Sequence, residues 1–141
     1  MILLDTNVIS EPLKLNPDAG VLTWIDAQLV ESLYLSTISL AELRFGIAVL
    51  PAGKRKDTLH TSLETRILPL FAGRILSFDA AASEAYAVLR ARARLDGKAI
   101  APADGYIAAI AMAHGLIVAT RDTGPFEAAG LTVINPWQAP Y

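Results

Sequence analysis

Residues 1–10 read MILLDTNVIS: after the start residue, the aliphatic run Ile2–Leu4 leads straight into Asp5, with Thr6 and Asn7 behind it. A run this short and this apolar reads as a strand buried on both faces, the kind found in parallel sheets that helices cover. Comparable runs follow at Leu33–Ser36 and at residues 74–78, 116–119 and 131–134, with longer segments of helical period between them. The alternation predicts an α/β domain with a central parallel sheet of four to five strands and helices on both faces. The punctuation agrees. Asn16-Pro17 reads as a helix N-cap followed by Pro at the first helical position, Asp79 as the cap of Ala80–Leu95 with Gly97 as its stop, and Pro102 and Gly115 as the two ends of another helix.

The chain has 141 residues, enough for one domain with a sizeable core and too few for two ordinary ones, so residues 1–141 are read as a single unit. No repeat or low-complexity tract interrupts it. Hydrophobic residues make up 53% and charged residues 18%, a balance that leaves aliphatic surface over once a core is filled and so implies a protein partner, a second copy or both. No apolar stretch reaches the roughly 18 residues of a membrane span, and the chain's first residues are too short a run for a secretory leader, so a soluble cytoplasmic protein is expected. The absence of cysteine excludes disulfides and thiolate metal sites. A formal charge of -2 excludes a general nucleic-acid binder and confines any such contact to a local patch.

In an open parallel sheet, ligands bind in the crevice beyond the carboxyl ends of the strands, and Asp5 stands at such an end. Three more acids take comparable places. Glu42 lies in STISLAELRFG (36–46) behind the second run, where Ser39 and Glu42 also have the spacing of a capping box. Asp104 lies in IAPADGYIAAIA (100–111) as the third residue of a helix opening at Pro102, where the helix dipole alone would favour a carboxylate. Asp122 lies in VATRDTGPF (118–126), where an Asx-turn is the ordinary reading. Asp5 itself could cap the next helix, although Asn7 is available for that task. Each acid has a local structural excuse; four at one sheet edge repel one another and raise each other's pKa unless they share a cation. A hard divalent ion with oxygen ligands is the natural counterweight. Mg²⁺ commonly takes only one or two direct carboxylates, so some of the four acids are expected to act through water. Such a centre suits phosphodiester hydrolysis.

Taken in order, LLDTNVISE, STISLAELRFG, IAPADGYIAAIA, VATRDTGPF and the INPW of residues 134–137 resemble the PIN-domain ribonucleases, and among them the VapC-type toxins of bacterial toxin–antitoxin pairs. The resemblance implies a PIN-like fold, an endoribonuclease dependent on Mg²⁺ or Mn²⁺, an RNA substrate, a homodimer, and a cognate VapB-type antitoxin that blocks the site. By position it assigns Asp5, Glu42, Asp104 and Asp122 to the acidic catalytic set, with Asp5 and Asp104 on the metal and Glu42 and Asp122 acting through water. Thr6, Asn7 and Thr120 match supporting positions. Many relatives carry a further acid where this chain has Pro125 before Phe126, so that either Asp122 supplies the fourth carboxylate or the centre runs on three.

Outside the acids, Lys54, Arg55 and Lys56 read as a short basic loop, and Arg90, Arg92 and Arg94 lie along AVLRARARL (87–95) with Arg90 and Arg94 sharing a helix face. Solvation with packed stems explains these cations, and contact with RNA phosphates is the alternative use, for Lys54, Arg55, Lys56, Arg90 and Arg94. His60 and His114 lack partner spacing and are placed outside the site. A phosphatase working through an aspartyl-phosphate needs a second carboxylate at the position of Asn7, and a phospho-receiver needs a lysine after the last strand, whereas none follows Lys98. The remaining alternative is a PIN-like module of weak catalytic power that binds RNA or protein.

Overall fold

The structure is a computed structural model and describes residues 1–138. Five short strands, β1 (Ile2–Leu4), β2 (Leu33–Ser36), β3 (Ile75–Leu76), β4 (Ile117–Ala119) and β5 (Val133–Ile134), form one sheet in the order β3-β2-β1-β4-β5. Every neighbouring pair is parallel. The central strand β1 shows why its sequence is apolar throughout: Ile2 and Leu4 enter one buried cluster with Val8, Trp24, Leu40 and Leu63, while Leu3 enters another with Leu89, Ile107, Ile110 and Phe126. Alternate side chains point to opposite faces, and both faces are covered.

Helices α1 (Thr6–Ser10), α2 (Ala19–Asp26), α3 (Thr37–Ala48), α4 (Lys54–Thr61), α5 (Ala80–Leu95), α6 (Pro102–His114) and α7 (Thr123–Ala128) fill the connections. Asp79 caps α5 through its carboxylate, which accepts from the Ala82 N–H at 2.9 Å, and Gly97 follows the helix with φ 71°. Pro102 opens α6 at its first position and Gly115 closes it at φ 65°, a left-handed conformation that glycine adopts at low cost. Helices α5 and α6 approach so closely that a Cβ on Gly105 would stand 3.0 Å from Tyr86 Cε2.

Several expectations need correction. Asn16-Pro17 does not start a helix: α2 is capped by Asp18, whose carboxylate accepts from Val21 N at 3.0 Å. The buried Glu11 fixes that start from behind, accepting from Asp18 N at 3.3 Å and pairing with Lys14 Nζ at 2.9 Å. Lys54, Arg55 and Lys56 are the first turn of α4 rather than a loop. The runs at 74–78, 116–119 and 131–134 shorten to β3, β4 and β5, which keep Ile75–Leu76, Ile117–Ala119 and Val133–Ile134. Arg74 turns its guanidinium onto the carbonyls of Val30, Leu33 and Leu70 instead. Pro125 is the third residue of α7 and leads into Phe126, which is wholly buried.

The cap assignment is testable. Asp18→Ala removes a capping acceptor and is expected to lower stability by about 1 kcal/mol in urea denaturation, whereas Asn16→Ala at an exposed position stays within about 0.5 kcal/mol.

Candidate acidic active site

Asp5 is positioned by its backbone before its side chain acts. Its N–H donates to Ala119 O at 2.9 Å, which carries the β1–β4 pairing one residue past the strand, and its carbonyl accepts from Val8 N and Ile9 N as α1 begins. Asp5, not Asn7, is therefore the N-cap of α1. Its carboxylate is only 6% exposed and is held at both oxygens: Oδ1 accepts from Thr6 N at 2.8 Å and Oδ2 from Thr120 Oγ1 at 2.8 Å. Thr120 is fully buried and its hydroxyl also accepts from Asp122 N at 3.1 Å, so one side chain ties the acid after β1 to the turn after β4.

Glu42 sits in the second turn of α3, since that helix starts at Thr37 with Ser36 as its cap, Ser36 Oγ accepting from Ser39 N at 3.0 Å. The capping-box reading of Ser39 and Glu42 fails for that reason. Glu42 Oε1 instead accepts from Thr6 Oγ1 at 2.7 Å, and Thr6 Oγ1 lies 3.0 Å from Ser39 Oγ. Asn7 turns its Oδ1 to accept from Arg121 N at 3.3 Å. Asp104 is the third residue of α6 as expected, and Asp122 stands at the cap position of α7 without making a capping bond, so an Asx-type turn does not account for its carboxylate.

These side chains meet. Asp5, Thr6, Asn7, Ser10, Glu42, Asp104 and Asp122 line one cleft of 370 Å³. Burial pushes the Asp5 carboxyl up to about 6 against the two hydrogen bonds that hold it down, with Asp104 and Glu42 adding repulsion. Asp104 is raised as well, by burial first and then by Asp122 and Glu42. Carboxylates crowded in one cleft repel one another, and a positive counter-charge relieves that repulsion. Among the described residues no three acids close on a single point as a direct metal cage. The donor set, all oxygen and drawn from four elements, fits a hard cation held by one or two direct carboxylates with water completing the shell.

The expected cations fall elsewhere. Arg55 borders an adjoining apolar groove of 320 Å³ that shares Thr6, Ser10 and Glu42 with the cleft, and its guanidinium donates to Leu13 O. Lys54, Lys56, Arg90 and Arg94 do not line the acidic cleft; Lys56 donates to Ala48 O and Arg90 to Tyr86 Oη. His60 and His114 are exposed and outside it, as read. Ser10, which lines the cleft, and the buried Ser39 were missed; nothing distinguishes either from an ordinary helix serine in sequence.

An all-oxygen acidic cleft thus opens at the carboxyl edge of a parallel sheet. The chain belongs to the PIN domain family, whose model matches residues 2–131. It is 62% identical over 138 residues to a VapC ribonuclease from Sinorhizobium fredii, covering 98% of this chain and 99% of that protein. Toxin FitB from Neisseria gonorrhoeae is 58% identical over 137 residues, covering 97% of this chain and 99% of its own length. The crystal structure of FitAcB from Neisseria gonorrhoeae superposes with a TM-score of 0.96 at 57% identity, covering 99% of this chain and 100% of that one.

The raised Asp5 has a consequence for stability. Between its ordinary 3.8 and about 6 the native state holds a proton that the unfolded chain has released, so metal-free stability falls as pH rises through that window. In EDTA, Asp5→Asn is expected to abolish a fall on the order of 3 kcal/mol between pH 4 and pH 7. Urea titrations across that range check it, and parallel pH profiles for the two proteins would refute it.

Proposed function

We propose that the chain is a metal-dependent endoribonuclease and the toxin of a type II toxin–antitoxin pair, acting on RNA with Mg²⁺ or Mn²⁺. The observation that carries this reading is the cleft in which a buried, doubly hydrogen-bonded Asp5 faces Glu42, Asp104 and Asp122. The near full-length likeness to a protein named as a ribonuclease supports RNA as the substrate. Likeness to a protein named as a toxin supports the biological role and a cognate VapB-type antitoxin as partner.

Asp5 and Asp104 are the residues to hold the ion, being the two acids that burial leaves most in need of positive charge. When bound, the metal lowers the pKa of a water and neutralises charge on the scissile phosphate. Thr120 and Thr6 N–H fix the Asp5 oxygens so that the ligand is oriented before the ion arrives. Thr6 Oγ1 orients Glu42 in the same way, leaving its second oxygen available to align water toward the phosphate. Asp122, exposed on the far wall, takes the place of the acid absent at Pro125. The exposed Leu15, Phe45, Val49, Leu70, Val88 and Leu95 supply apolar surface for a homodimer and the antitoxin. No helix among the described residues is long and apolar enough to cross a membrane, and a cytoplasmic single-domain protein is the reading adopted.

The test is incubation of antitoxin-free protein with total cellular RNA in Mn²⁺ or EDTA, followed by sequencing of new ends. Discrete ends with Mn²⁺ and none in EDTA are expected. Asp104→Asn should lose more than the roughly 10–100-fold that removal of a metal site's supporting residue costs. Asp122→Asn, which keeps the local geometry, should lose at least about tenfold, and cleavage at the parent rate would remove Asp122 from the site. Equal cleavage in EDTA would overturn the metal-dependent reading.

A further inference from the structure

The acidic cleft poses an electrostatic problem that its own lining does not solve. A polyanion must reach a pocket of carboxylates, and backbone phosphate contacts supply most of nucleic-acid affinity. Lys54, Lys56, Arg90 and Arg94 do not line the cleft, and Arg55 borders the adjoining apolar groove with its guanidinium on Leu13 O. Arg121 is held beside the cleft lining by its backbone. Arg121 lies between Thr120 and Asp122 where the chain leaves β4, and its N–H is bound by Asn7, a wall of the cleft. Its guanidinium carbon sits 5.1 Å from the centre of the Trp137 ring. Trp137 follows β5, and since β1, β4 and β5 are parallel neighbours, Asp5, Arg121 and Trp137 leave the sheet by the same edge.

Arg121 is exposed, and among the described residues it makes no ion pair. Trp137 is half-buried and packs against the core cluster that contains Leu4 and Val8, so the indole is a fixed platform. It is itself held by Asn135, whose Oδ1 accepts from Trp137 N at 3.0 Å. A guanidinium laid on such a ring keeps its in-plane donors available for two phosphate oxygens while losing rotamer freedom in advance.

We propose that Arg121, stacked on Trp137, is the RNA-backbone contact of this protein, receiving a phosphodiester that flanks the one in the acidic cleft. The proposal rests on the nuclease reading and names the substrate contact it lacks. A continuous polyanion with one phosphate at the carboxylates necessarily carries its neighbours past the cleft lining, beside which Arg121 is held. An acidic peptide has no such reason to run from the rim into a pocket of like charge, so RNA is the occupant the geometry favours.

The experiment uses the full-length, antitoxin-free protein and a single-stranded oligoribonucleotide containing a site the parent cuts in Mn²⁺. Arg121→Gln is expected to raise KM about tenfold with kcat changed less than about threefold, because a charged hydrogen bond to substrate is lost and the cleft is untouched. In an Asp104→Asn background, which binds without cutting, it should flatten the slope of log affinity against log salt by about 0.7, the value for one phosphate on a single strand. Arg121→Lys should recover part of the affinity and all of the salt slope, since charge survives and the planar stack does not. Trp137→Phe, which preserves a ring, should raise KM less than Arg121→Gln. Unchanged KM and salt slope in Arg121→Gln, with normal parental cleavage, would overturn the proposal. So would a variant that cuts RNA normally but has lost affinity for its antitoxin. A parent that cuts no RNA refutes the nuclease reading, and this contact with it.

Discussion

The hydrogen bond from Thr120 Oγ1 to Asp5 Oδ2 joins residues 115 positions apart and is buried. It exists only if β1 and β4 pair in the observed register, because Asp5 and Thr120 are the residues immediately past Leu4 and Ala119, which face each other across the sheet. In return it takes a carboxylate out of water. That burial is costly, and hydrogen bonds to the charged form offset it only in part, which is why the Asp5 carboxyl remains raised to about 6. The fold thus supplies an acid that is fixed in place yet short of positive charge.

The other acids are placed by the same economy of means. Glu42 and Asp122 stand on the connections that leave β2 and β4, and Asp104 stands at the start of α6, the helix that leads back to β4, so the sheet converts separations of tens of residues into a shared cleft. Thr6 shows how tightly the pieces interlock: its N–H holds Asp5 and its hydroxyl holds Glu42, so the first residue of α1 aligns acids from two strands' ends. A substitution there would disturb both at once.

Much of this was legible in the sequence because the relevant signals are local. The five strands are apolar runs ended by polar residues, and Asp79, Gly97, Pro102 and Gly115 mark helix ends through side-chain capping or backbone preference alone. What was misread depended on choosing among adjacent candidates. Asn16 and Asp18 both suit an N-cap, and only the buried Glu11 holding Asp18 N decides between them. Ser36 and Ser39 both suit a cap as well; the end of β2 at Ser36 selects the first and moves Glu42 into the second turn, off the capping box and toward Thr6. Ser10, Arg121 and the contact of Ser39 with Thr6 gave no signal because their surroundings are assembled from other strands and helices, which periodicity does not report.

Pro125 illustrates how local geometry constrains the site. As third residue of α7 it occupies the first turn, where proline's missing N–H costs nothing, and it precedes the fully buried Phe126 that locks the helix onto the core. An acid is therefore dispensable there for folding, and its absence leaves Asp122 as the acid of this segment that lines the cleft. Asp122 is suited to that role because Thr120 fixes its backbone N–H while its carboxylate is not used as a helix cap. Had it capped α7, the charge would have been directed along the helix axis and away from Asp104; uncapped, it faces Asp104 closely enough to raise that acid's pKa. The cleft thus holds four carboxylates, one of them on the turn that Thr120 fixes.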